Sequence, residues 1–205
     1  MQKLVVRGVV SVVALMALVG CGESSKGNDD EPRKDAGSDT PSAAGLTLNL
    51  TAPITSELPG AEGRSCRAGG TGAFSYAIGM PAPLKTISNG TEGVGVFCQV
   101  TRRGEVSANL IGPDANSKQK IQFTVTSMVT SVNAATPAEV TFSSPDTSNL
   151  VALDGFPGCT LGFITVLKAG AILADVTCPL LGSVTDASVG CRAEGTFAFE
   201  YCSTE

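Results

Sequence analysis

Short runs in which apolar and polar residues alternate recur along the chain from Leu46 onward. In the first run, Leu46, Leu48 and Leu50 alternate with threonine and asparagine, and a period of two places every second side chain on one face of a β-strand. The same reasoning predicts strands at 73–78, 94–101, 105–111, 121–126, 140–142, 161–167, 171–177 and 196–201. No run of 10–12 residues has the helical period. The pattern therefore predicts an all-β fold, an antiparallel β-sandwich of the jelly-roll kind with about nine strands.

Two of the predicted connections are tight hairpins. Arg102-Arg103-Gly104 separates the strands at 94–101 and 105–111, and Lys168-Ala169-Gly170 separates those at 161–167 and 171–177. A three-residue hairpin loop places one residue in the left-handed region, which glycine enters without steric cost. We therefore expect Gly104 and Gly170 to have positive φ.

The amino terminus has the organisation of an export signal. Lys3 and Arg7 carry positive charge, and the twelve residues that follow, 8–19, are uncharged. That length fits the apolar part of a signal peptide and is shorter than the roughly 20 residues that span a bilayer. Residues 1–20 are therefore predicted to be a signal peptide.

The signal ends in Leu18-Val19-Gly20-Cys21, which resembles the lipobox of bacterial lipoproteins. The resemblance implies cleavage before Cys21, a diacylglyceryl group on its sulfur, an acyl chain such as palmitate on its nitrogen, and stable attachment to a membrane. Gly22 stands where an aspartate commonly marks inner-membrane retention, so the outer membrane is the expected location. The mature chain is similar to small, cysteine-stapled envelope lipoproteins of unknown activity, and this likeness transfers no functional residue.

The segment between Cys21 and the first strand is predicted to be a disordered tether, residues 21–45. From Gly22 to Gly45 it has no Val, Ile, Leu, Met or aromatic residue, and nine of these 24 residues are charged. Such a composition cannot offset the conformational entropy that is lost on folding. Residues 46–205 then form one β-sandwich domain.

The chain has seven cysteines, so pairing in disulfides leaves one of them without a partner. If Cys21 carries the lipid, the other six form an even set. Export favours three disulfides, whereas a zinc site needs pairs such as C-x₂-C, which do not occur. Counting outward from the second hairpin places Cys159 almost opposite Cys178. Chain order then gives the predicted pairs Cys66–Cys98, Cys159–Cys178 and Cys191–Cys202. Because eleven residues of extended strand would hold the last two apart, Cys178–Cys191 with Cys159–Cys202 stays open as an alternative.

An internal repeat accompanies two of these cysteines. Residues 66–76 (CRAGGTGAFSY) match residues 191–201 (CRAEGTFAFEY) at eight of eleven positions without a gap. The structural interpretation is that two symmetry-related strands pack in the same way. Arg67 and Arg192 would then each bind backbone carbonyls or a carboxylate. The functional interpretation makes these arginines paired ligand contacts. The structural interpretation is preferred, because every shared residue except the arginine is a turn, disulfide or core type.

Composition excludes several kinds of chemistry. The chain has no histidine, so histidine-dependent triads and the usual zinc sites are excluded, and no nucleotide-binding motif occurs. We expect no catalytic residue, metal or cofactor. The domain carries nine basic and thirteen acidic side chains, a net charge of −4, which disfavours nucleic acid as a partner.

The expected function is that of a non-enzymatic envelope lipoprotein with a structural or protein-binding β-sandwich, anchored to the membrane by its lipid, with another envelope protein as candidate partner. The alternative is a module that binds a small ligand or a glycan, and a third hypothesis is an enzyme using two carboxylates. A contiguous apolar patch would favour protein contact, and a concave pocket with converging polar groups would favour a ligand.

Overall fold

The alternating pattern folds as predicted, into an all-β sandwich with antiparallel strands. The computed structural model describes residues 40–67, 73–79 and 85–205; the predicted signal peptide, Cys21 and the tether up to Asp39 lie outside them. The described residues form eleven strands rather than about nine, because the two extra strands are too short to show a clear alternation. The strands are β1 Ala43–Thr51, β2 Phe74–Ile78, β3 Ile87–Ser88, β4 Gly95–Val100, β5 Glu105–Pro113, β6 Lys120–Met128, β7 Thr136–Ser144, β8 Ser148–Ala152, β9 Cys159–Lys168, β10 Ala171–Ser183 and β11 Gly190–Glu200.

The first strand begins three residues before the predicted domain boundary at Leu46. Ala43 and Ala44 are buried and pair with β11 on one side and with β3 on the other. Alanine and glycine carry no apolar periodicity, so these residues resembled the tether in composition. Backbone pairing on both sides makes them part of the sheet.

The strands form one continuous sheet in the order β2-β1-β11-β10-β8-β7-β6-β5-β4. One layer contains β2, β1, β11 and β10, and the other contains β7, β6, β5 and β4. Strands β8 and β9 both pair with β7 and β10, and so connect the two layers along one side. On the other side, Gln99 of β4 forms a bridge with Ser203, in the segment that follows β11. The two layers are therefore joined on both sides, while β2 stays at an edge of the sheet.

Aromatic side chains meet across the core between the layers. The ring centroids of Phe123 on β6 and Phe197 on β11 lie 5.6 Å apart, and those of Tyr76 on β2 and Phe142 on β7 lie 4.9 Å apart. All four residues are at most 3% exposed. The inward positions of the alternating pattern thus supply a single core.

Both predicted hairpins form where the glycines indicate. Gly104 has a φ of 88° and Gly170 a φ of 82°, in the left-handed region that glycine enters without steric cost. The second loop has two residues, Ala169 and Gly170, rather than the predicted three. Val100 pairs with Val106 across the first loop, and Lys168 pairs with Ala171 across the second.

All six predicted disulfide cysteines are bonded, and the pair Cys159–Cys178 is confirmed. Its two Cα atoms lie 4.1 Å apart on β9 and β10. The register at the hairpin differs by one residue from the prediction, since Ile172 rather than Ala171 faces Leu167. An irregularity in β9 at Phe163, whose φ is 45°, compensates for that difference and returns the two cysteines to opposite positions.

The predicted pairs Cys66–Cys98 and Cys191–Cys202 are wrong, as are the alternatives Cys178–Cys191 and Cys159–Cys202. Cys66 is instead bonded to Cys191, so the disulfide joins the first residues of the two repeat copies. Ser65 and Val189 form a parallel bridge beside it, and β2 and β11 then flank β1 on opposite sides. The two strands nevertheless differ in their surroundings, since among the described strands β2 pairs with β1 alone and β11 with both β1 and β10, and Tyr76 is buried whereas Tyr201 is exposed.

The third disulfide fastens the carboxyl terminus to β4. Cys98 is bonded to Cys202, and the backbone of Ser203 accepts from Val100 N at 2.8 Å and donates to Cys98 O at 3.0 Å. The last residues of the chain thus run parallel to β4 at the edge of the sheet. A hairpin-based count finds antiparallel neighbours only, which is why this pair was missed.

Asp114 connects the edge strand β2 to the turn between β5 and β6. Its carboxylate accepts hydrogen bonds from Ala77 N at 2.8 Å, Ser117 N at 2.7 Å, Ser117 Oγ at 2.8 Å and Asn116 N at 3.2 Å, although the residue is 1% exposed. Burial raises the pKa of this carboxyl, and the hydrogen bonds from Ala77, Ser117 and Asn116 more than compensate, so the net pKa is lowered.

We expect Asp114→Asn to lower the free energy of unfolding by about 3 kcal/mol at pH 7, because an amide group would turn a donor toward buried N–H groups. The folded pKa of Asp114 lies below the unfolded value of about 3.9, so this contribution is complete above that pH and is lost as the pH falls through the folded pKa. Urea unfolding between pH 7 and pH 2 measures both effects. Asp154→Asn in an exposed loop is the control; a constant difference between parent and Asp114→Asn down to pH 2 would contradict the assignment.

Candidate functional site

The outer surface of strands β4 to β8 is a polar face. On each of these strands the inward residues, such as Leu110, Phe123 and Phe142, belong to the core, so the residues between them point to solvent. Cross-strand pairing places these outward residues in three rows. The polar face is defined by the rows Gln99-Ser107-Thr126-Glu139, Phe97-Asn109-Thr124-Thr141-Val151 and Ile111-Gln122-Ser143-Asn149.

The rows consist mainly of hydroxyl and amide groups. Gln122 Nε2 donates to Asn109 Oδ1 at 3.3 Å, and Thr126 Oγ1 donates to Glu139 Oε2 at 3.3 Å. Among the described residues of the three rows, Glu139 alone is charged. Threonine is favoured at such positions because its branched side chain packs well on a pleated surface. The face therefore offers donors and acceptors in a fixed lattice with little net charge.

A groove of about 690 Å³ lies at one end of the polar face. The groove is shallow and largely open to solvent. Two carboxylates, those of Glu105 and Glu139, border it. The remaining lining residues are Gln99, Val106, Ser107, Thr126, Ser127, Pro137, Ala138, Gly158 and Cys159.

Phe97 stands on the polar face with 75% of its surface exposed. It pairs with Asn109 in the middle row and precedes Cys98, whose disulfide fixes β4 to the carboxyl-terminal segment. Tyr201, which is 53% exposed, precedes the other half of that disulfide. An exposed ring on a rigid strand is a ready platform for an apolar surface of a ligand.

The repeat arginines lie apart from this face. Arg192 forms ion pairs with Glu57 at 3.4 Å and with Glu194, whose Oε1 lies 2.9 Å from its Nε. That arrangement agrees with the structural interpretation of Arg192. Arg67 is exposed next to Cys66, and the repeat residues 68–72 lie outside the described part of the chain.

Sequence reasoning did not single out any residue of the polar face as a site. The signal was present in the outward positions of the strand pattern, such as Gln122, Thr124 and Thr126. Whether such residues form one surface depends on which strands are neighbours and in which register, and periodicity does not contain that information.

Two further features concern metals and membranes. Within residues 40–67, 73–79 and 85–205, no group of three or more His, Cys, Asp or Glu side chains is arranged to hold a metal ion. The same residues contain no helix with the length and apolar character needed to cross a bilayer.

No protein-family model, curated protein or solved structure matches this chain.

Proposed function

We propose that the chain is a lipid-anchored envelope protein of the outer membrane whose β-sandwich is a non-catalytic binding module. The disulfides carry this proposal. All six cysteines of the described residues are bonded and at most 7% exposed, so Cys21 is left as the odd thiol of the chain's seven. Three structural disulfides are typical of an oxidising compartment outside the cytosol. A single thiol next to an export signal is then the natural site for the lipid.

The polar face supports a binding role for the domain. Among the large exposed hydrophobic residues, Phe97 and Tyr201 precede the two cysteines of one disulfide, whereas Ile54, Met128, Phe163 and Val184 lie on separate loops and strands. A protein-binding surface would favour a contiguous apolar patch. The groove near Gln99, Thr126 and Glu139 combines polar groups with apolar residues such as Val106 and Pro137. With the hydroxyl and amide groups of the polar face, it supports a ligand as the second candidate partner, beside another envelope protein.

Cys21→Ser tests the anchor. In a bacterial host, the parent chain should be processed to a form that partitions into detergent and floats with membrane vesicles, because acyl chains contribute about 0.8 kcal/mol per buried CH₂. The serine variant should not be lipidated or processed at this site. An inhibitor of the lipoprotein signal peptidase should cause the unprocessed precursor of the parent to accumulate and should leave the variant unchanged.

Ser24→Ala, a replacement three residues downstream, is the matched control and should behave as the parent. Gly22→Asp should move the processed protein from outer-membrane to inner-membrane fractions, as the lipoprotein resemblance implies. Parent and Cys21→Ser chains that behave alike in partition, flotation and inhibitor response would refute the anchor.

A further inference from the structure

The chemistry of the polar face is that of a surface for polyhydroxylated ligands. Its three rows hold hydroxyl groups, which donate and accept, and carboxamides, which do both through separate atoms. Neighbouring strands repeat these groups at a spacing of about 4.8 Å. A flexible loop could not hold such a lattice, whereas a sheet fixed at both sides presents it without loss of conformational entropy on binding.

The charge of the polar face restricts the class of ligand that it can bind. The described rows contain no lysine or arginine, and Glu139 contributes one negative charge at the end of its row. Lys120 lies outside the three rows, at the start of β6 beyond Gln122. A phosphate, a nucleic acid or an acidic polysaccharide along the middle row would meet no cation within the rows and would be repelled by the carboxylates of Glu139 and Glu105 at the groove. An uncharged ligand would not be repelled by these carboxylates.

Phe97 adds the apolar contact that a sugar ring needs. A pyranose has polar edges, but its axial C–H groups form an apolar face, which packs on an aromatic ring. Phe97 ends the row that continues through Asn109, Thr124 and Thr141, so a ring on Phe97 would have hydroxyl groups within reach of this row. With β8 included, the row crosses five strands, a distance of about 19 Å.

We propose that the polar face binds an uncharged glycan chain, which lies along the middle row with one sugar ring on Phe97. This inference rests on the proposed role of the domain as a binding module and names its ligand class. A protein partner fits the face less well, because protein hot spots are enriched in Trp, Tyr and Arg, and Phe97 is the single aromatic residue in the three described rows.

Two substitutions test the face without touching the core. Phe97→Ala should weaken the binding of a neutral hexasaccharide about five- to tenfold, since it removes the ring contact. Thr124→Val keeps the shape of the side chain and removes its hydroxyl, and should weaken binding about threefold or more. The probes are cellohexaose, maltohexaose and chitohexaose, titrated calorimetrically against the processed full-length protein in detergent, with hexagalacturonate as the acidic counterpart.

Phe163→Ala is the matched control, because Phe163 is 85% exposed but lies on β9, outside the polar face. It should leave the affinity unchanged, and all variants should keep the melting temperature of the parent. The proposal is overturned if none of the neutral probes binds, if hexagalacturonate binds more tightly than they do, or if Phe97→Ala and Thr124→Val leave binding intact. Flotation of the same variants with vesicles reports separately on the lipid anchor, so a failure of the anchor and a failure of glycan binding are distinguishable.

Discussion

Replacing Cys66 and Cys191 together by alanine should lower the free energy of unfolding by about 4 kcal/mol, which for a domain of this size corresponds to roughly 12 °C in melting temperature. The two cysteines are 125 residues apart in sequence. With Cys98–Cys202 intact, the loop that their disulfide closes has about 43 residues, and a cross-link that closes a longer loop removes more conformations from the unfolded chain. It also holds the entry to β11 beside the segment that leads into β2, at a site where both cysteines are fully buried. Reversible urea unfolding measures the change.

The control for this prediction is the pair Cys159→Ala and Cys178→Ala. Its loop has a sequence separation of 19, and the same reasoning gives a loss of about 3 kcal/mol. Both double variants remove buried sulfur and leave no free thiol among the described residues that could exchange with the remaining disulfides. Loop closure would be excluded as the main contribution if removal of Cys159–Cys178 destabilised the domain more than removal of Cys66–Cys191.

Gly195→Ala should destabilise the domain by about 3 kcal/mol, near the upper limit for overpacking in a core. Gly195 pairs with Leu48 in the centre of the sheet, where β11 runs beside β1. A Cβ atom added there would fall well inside contact distance of the Thr47 carbonyl oxygen and 2.9 Å from the Cα of Leu48. Because these are backbone atoms of a paired strand, the strands themselves would have to separate.

The matched control is Gly162→Ala on β9. Gly162 also pairs in the sheet, opposite Asp175, but an added Cβ meets no atom within 4 Å. This variant should retain the stability of the parent or gain a few tenths of a kcal/mol, because alanine restricts the unfolded chain. Equal urea midpoints for Gly195→Ala and the parent would show that β1 can yield, contrary to the tight contact.

The proposed lipidation site and the polar face belong to different parts of the chain. β1, the first strand of the domain, lies across the core from β4 to β7. The polar face is built from strands in the middle of the chain, and its outward side chains are remote in sequence from both Cys21 and the repeat. The two proposals, lipidation and glycan binding, therefore concern separate parts of the protein and can be tested independently.

The sequence by itself determined the local features of the fold. The alternation of apolar and polar residues predicted the strands and their inward-facing positions, because successive side chains on a β-strand point to opposite faces. The two hairpins followed from Gly104 and Gly170, and Cys159–Cys178 followed from the second hairpin, since residues close in sequence must lie close in space. The short strands β3 and β8 escaped detection because two or five residues scarcely show a period.

The tertiary structure alone decided which distant segments are neighbours. The parallel approach of Ser65 to Val189 and of Gln99 to Ser203 brought together the cysteines that chain order separated. The registers of β4 to β8 turned scattered polar residues on five strands into one face. Pairing of distant strands depends on how the complete core packs between the two layers, and a one-residue shift would turn Thr124 inward and Phe123 outward. The pairing of the strands is therefore determined by the packing of the whole chain, and no local sequence pattern predicts it.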